Sequence, residues 1–73
     1  MKMTIVSRHP RYPTIPEKSM VYEHSGYTDV PQMIAELRKR WGNGHHNITD
    51  IPNGLRIYDR RDGLEQDITG DTP

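Results

Sequence analysis

An α+β fold, with one amphipathic helix packed on one face of a small antiparallel sheet in the order ββαββ, is what this 73-residue sequence predicts. Three observations predict it. A capped apolar stripe of helical period runs over residues 29–42, an Asn53-Gly54 pair separates two apolar stretches, and a β-branched run opens the chain at Met3–Val6.

The length allows one domain, and a chain this short buries only about 60% of the surface it exposes when unfolded, so its stability is marginal. Without cysteine, neither a disulfide framework nor a zinc knuckle is available to staple it. No apolar run approaches the roughly 20 residues of a membrane span, and MKMTIVSRHP lacks a signal-peptide core. A soluble, cytoplasmic protein is expected.

Met3-Thr4-Ile5-Val6 reads as a first strand, with an edge position available to a partner's backbone. Three prolines between Pro10 and Pro16 then forbid a central strand and predict an extended surface loop. Ser19–His24 reads as a second strand, closed by Ser25-Gly26.

The helix is the element that announces itself. Asp29 is placed as N-cap with Gln32 three residues on, and Pro31 is tolerated because first-turn amides lack a helical partner. Val30, Met33, Ile34, Leu37 and Trp41 form one apolar stripe, and Gly42 stands where a helix ends. Arg38-Lys39-Arg40 therefore lies mostly in solvent, where it complements the negative end of the helix dipole.

Asn53-Gly54 predicts a hairpin between Ile48–Ile51 and Leu55–Asp59, and Pro52 predicts a short or edge third strand. Leu55 and Ile57 point one way, and Arg56, Tyr58 and Arg60 the other. Ile5, Val21, Val30, Met33, Ile34, Leu37, Trp41, Ile48, Leu55 and Ile57 are the expected core.

Residues 62–73 hold four acids and no base, while residues 1–61 hold ten Lys/Arg against six Asp/Glu, so a charge of −4 faces +4. This pattern predicts a single domain over 1–61 and a flexible acidic tail over 62–73.

No catalytic or cofactor kit is legible. His45-His46 lack the helical spacing that directs two imidazoles at one ion, no thiol nucleophile exists, and neither a P-loop nor GxGxxG occurs. A noncatalytic binding protein is expected, with no metal or cofactor. Basic and aromatic residues gather near two strand ends, and Val6, Ser7, Arg8, His9, Tyr58, Arg60 and Arg61 are the expected contact surface. Arg and Tyr are over-represented at protein-interface hot spots. The alternative is a small nucleic-acid-binding protein using the same Arg/Tyr face, with guanidinium groups on phosphates and tyrosines stacked on bases.

In length, cysteine-free composition, the Met3–Val6 strand and the Val30–Trp41 helix, the chain resembles the small phage-encoded proteins that bind bacterial RNA polymerase. The resemblance implies a monomer that binds the amino-terminal part of the polymerase β′ subunit, inhibits transcription initiation and promotes antitermination. Such a protein needs no active site.

Overall fold

The computed structural model describes residues 1–42 and 44–71. It comprises β1 (Lys2–Arg8), β2 (Lys18–Glu23), α1 (Val30–Trp41), β3 (His46–Ile51), β4 (Gly54–Asp59) and β5 (Glu65–Gly70). The strands form one five-stranded sheet in the order β2-β1-β5-β4-β3, every neighbouring pair antiparallel.

The α+β class and the single helix agree with the sequence reading, and two features of the sheet correct it. The ββαββ order omits a strand, and the expected first edge strand, β1, lies inside the sheet between β2 and β5. The expected flexible tail supplies the middle strand: Glu65–Gly70 pairs with β1 from Met3↔Gly70 to Arg8↔Glu65 and with β4 from Gly54↔Thr69 to Tyr58↔Glu65. Thr72 and Pro73, the end of that expected tail, lie outside the described residues. β5 alternates, with Gln66, Ile68 and Gly70 toward the helix and Glu65, Asp67 and Thr69 on the open face. Its acids are thus compatible with a central strand of a sheet that is wet on one side.

The helix forms as its caps dictate. Asp29 Oδ1 accepts from the Gln32 amide at 2.9 Å, and Gln32 Oε1 accepts from the Thr28 amide and hydroxyl at 2.6 and 2.7 Å. Met33 and Leu37 are buried, with Val30, Ile34 and Trp41 packed around them. The β3–β4 hairpin stands, its turn centred one residue before the Asn-Gly pair. Ile51 pairs with Gly54, leaving Pro52 and Asn53 as the loop, and Asn53 takes φ 62°. Proline followed by a positive-φ asparagine fits a type II turn. Gly54 is required by close approach, since a Cβ there would lie 1.8 Å from the Ile68 carbonyl oxygen of β5.

Met3, Met33, Leu37, Leu55, Ile57 and Ile68 form the core, with Ile5 and Ile48 at its margin. Val21 does not belong to it: the residue is 61% exposed, because it stands on an edge strand and on the face away from the helix. Met3 and Ile68 are core residues absent from the expected set. The helix packs chiefly on β4, then on β3 and β5, so β2 projects beyond its cover and all six of its residues are exposed.

Candidate functional site

The seven residues expected to make contacts converge at one end of the sheet, and β5 is what brings them together. Arg8 and Tyr58 both pair with Glu65, one from each side, so the ends of β1 and β4 are separated by a single strand. Val6, Arg8 and Tyr58 share the open face, whereas Ser7 faces the helix side and is reached by the Gln66 amide at 3.4 Å. His9 follows β1, and Arg60 and Arg61 occupy the β4–β5 turn rather than β4 itself. Arg11 ties the proline loop to that turn by donating to the carbonyls of Arg60 and Arg61 at 3.0 and 3.3 Å.

The electrostatics of this end differ from an array of unengaged cations. Arg8 Nη1 donates to Glu65 Oε1 and Asp67 Oδ2, both at 2.9 Å, and Arg56 donates to Asp67 from Nε at 2.8 Å and Nη2 at 3.1 Å. Arg56 Nε also lies 3.3 Å from Glu65, and Arg8 Nε lies 3.7 Å from Glu17. Asp67 is held below the usual carboxylate range, first by the Arg56 guanidinium and then by Arg8, against the opposing effect of burial. Arg8 and Arg56 are correspondingly raised by their hydrogen bonds to Asp67.

The β4–β5 turn is organised by a second carboxylate. Asp59 accepts from the Arg61 amide at 2.8 Å and from its guanidinium at 3.1 and 3.3 Å. These bonds lower the Asp59 pKa to about 2, with the nearby His46 adding a smaller effect. Arg60 donates to Asn47 Oδ1 at 2.9 Å and to the Gly44 carbonyl, pinning the turn to the loop before β3. On the helix, Arg38 pairs with Asp50 of β3, while Arg40 sits 5.8 Å over the Trp41 ring.

Sequence reasoning missed Glu65, Asp67 and Arg56 as partners in this surface. A signal existed for the first two: acids two apart around Gln66 have strand period, and Asp62-Gly63 is itself a hairpin signal. The structure uses it, with the Asp59 amide donating to the Leu64 carbonyl at 2.9 Å and the Gly63 amide to the Asp59 carbonyl at 2.8 Å.

A second surface lies along β2. Its helix-side residues and α1 bound an apolar groove of about 310 Å³, lined by Ile5, Tyr22, Leu37, Arg40 and Trp41 among others. The His24 and Tyr27 rings stack at its end, with centroids 4.1 Å apart and planes 10° apart. Among the described residues no group of three or more His, Cys, Asp or Glu is placed to hold a metal ion, and no helix is long and apolar enough to cross a membrane.

Comparison with family models, with curated proteins and with solved structures finds no match for this chain.

Proposed function

We propose that this chain is a noncatalytic protein-binding regulator that acts on bacterial RNA polymerase. It would bind the amino-terminal region of β′ through the end of the sheet formed by Val6, Ser7, Arg8, His9, Tyr58, Arg60 and Arg61. Inhibition of initiation and promotion of antitermination are the effects that the resemblance implies. The choice of polymerase rests on the resemblance in size and layout. The choice of a protein over a nucleic acid rests on one observation about the arginines.

Arg8 and Arg56 are shared between Glu65 and Asp67, Arg61 is engaged by Asp59, and Arg38 by Asp50. A phosphate grip needs cations whose charge is released to the ligand, whereas these are answered by the chain's own carboxylates. What such an end offers is planar guanidinium groups held in fixed orientation beside Val6 and Tyr58. Arg and Tyr in that setting are favoured at protein interfaces.

The test is an affinity pull-down from a bacterial lysate after nuclease treatment, repeated at rising salt. Retention of polymerase subunits with a shallow salt dependence supports the proposal. Loss of all protein partners, with labelled DNA or RNA retained and released steeply by salt, would move the assignment to a nucleic-acid-binding protein.

A further inference from the structure

We infer that the outer edge of β2 is a strand-addition site that takes an extended, apolar and acidic segment of a partner protein. The inference rests on the protein-binding reading above and adds a second contact surface to it. Three observations carry it.

The first is the direction of the backbone. The His24 amide donates to the Met1 carbonyl at 2.8 Å and the Met1 nitrogen to the His24 carbonyl at 2.7 Å, so these two residues form a hydrogen-bonded pair. In an antiparallel ladder such pairs alternate, which turns the polar backbone groups of Lys18, Met20 and Tyr22 toward β1. Those of Ser19, Val21 and Glu23 point away from the sheet. They are placed to receive a further strand about 4.8 Å away.

The second observation is what the edge displays. Edge strands are commonly blunted by proline, bulges or inward charges. Here the middle of β2 is Met20, Val21 and Tyr22, exposed by 43, 61 and 42%. Met20 and Tyr22 stand on the helix side beside the groove, and Val21 on the open side. An added strand therefore meets apolar neighbours on both of its faces.

The third is charge, and it chooses the occupant. Lys18 ends β2, and Arg40 borders the groove over the Trp41 ring. Neither is paired with a carboxylate of the described residues, whereas Glu23 has the Met1 nitrogen at 3.5 Å. A second copy of this chain continuing the sheet would bring the same two cations, and its Glu23 would stand on the face that Val21 shares, opposite to Lys18. A segment that alternates apolar and acidic side chains covers Met20 and Tyr22 and answers Lys18 and Arg40 together.

The probe is a blocked seven-residue peptide of alternating valine and glutamate, titrated into the isotopically labelled full chain at low salt and followed by NMR and amide exchange. Expected are shifts confined to β2, Arg40 and Trp41, amide exchange slowed by about tenfold at Ser19, Val21 and Glu23, and binding at least about tenfold weaker for the valine–lysine peptide. Val21→Pro should abolish binding while keeping the β1–β2 ladder, since the Val21 amide points outward. The exchange data on the unaltered chain decide the matter if that variant does not fold. Absence of shifts along β2 at millimolar peptide, or equal binding of the lysine peptide, overturns the inference. So does protection of the same amides in the chain alone as its concentration rises. Polymerase takes no part in this test, so its result is independent of the polymerase assignment.

Discussion

Asp67 of β5 stands directly opposite Arg56 of β4 and accepts two hydrogen bonds from it, at 2.8 and 3.1 Å, while Arg8 of β1 reaches the same carboxylate from the other side. One side chain thus joins three adjacent strands on the open face. Asp67→Ala leaves the two guanidinium groups sharing Glu65, with Glu17 as a further partner of Arg8 alone. Because the cluster is partly exposed, the cost should be on the order of 1 kcal/mol rather than that of a buried pair, read as a lower urea midpoint with an unchanged slope. Combining it with Arg56→Ala should cost less than the sum of the two, because both remove the same contact.

Removal of residues 62–73 should abolish folding. The deletion takes out β5, and with it the ladders to both β1 and β4, leaving β2-β1 and β4-β3 as separate pairs. Isolated two-stranded hairpins are marginal in water. The expected result is a collapsed NMR dispersion and loss of the cooperative thermal transition; a folded truncated chain would contradict the topology.

Core and edge should respond oppositely to truncation of a side chain. Leu55 and Met33 are completely buried, and alanine at either should cost about 2–5 kcal/mol, enough to unfold a domain this small. Val21→Ala should change stability by no more than about 0.5 kcal/mol, because the side chain is largely in solvent. Chemical denaturation of the three variants checks both statements.

Stability should fall in acid for an identifiable reason. The Arg61 hydrogen bonds hold the Asp59 pKa down at about 2, below the ordinary carboxylate value, and the Arg56 guanidinium lowers that of Asp67. A folded pKa below the unfolded one means that the contribution is complete above the unfolded value and is lost as pH drops through the folded one. Urea midpoints should therefore decline mainly below about pH 4, and Asp59→Asn with Asp67→Asn should flatten that decline.

The helix was legible in the sequence because everything that specifies it is local: Asp29 and Gln32 within one turn, and a stripe that needs only one partner surface. The β3–β4 hairpin was legible for the same reason. β5 was not, because a strand read by itself as Glu65-Gln66-Asp67-Ile68-Thr69-Gly70 shows one large apolar residue and two acids, the composition of a solvated tail. Its place in the sheet rests on ladders to β1 and β4, the first of them more than fifty residues away in the chain, with Arg8 and Arg56 answering its acids. The basic and aromatic clusters near Arg8 and Tyr58 were visible as composition. Their meeting across Glu65 was not, since it follows from the insertion of β5, and no local signal near Val21 shows that β2 forms an edge and leaves that side chain in solvent.

The most direct measurement is a titration of purified bacterial RNA polymerase core enzyme with the labelled chain, alongside a His9, Tyr58 and Arg61 triple-alanine variant confirmed to be folded. A saturable complex at moderate salt, weakened about tenfold or more in the variant, is expected if the sheet end binds polymerase. Absence of a complex, or equal binding by the folded variant, would contradict it.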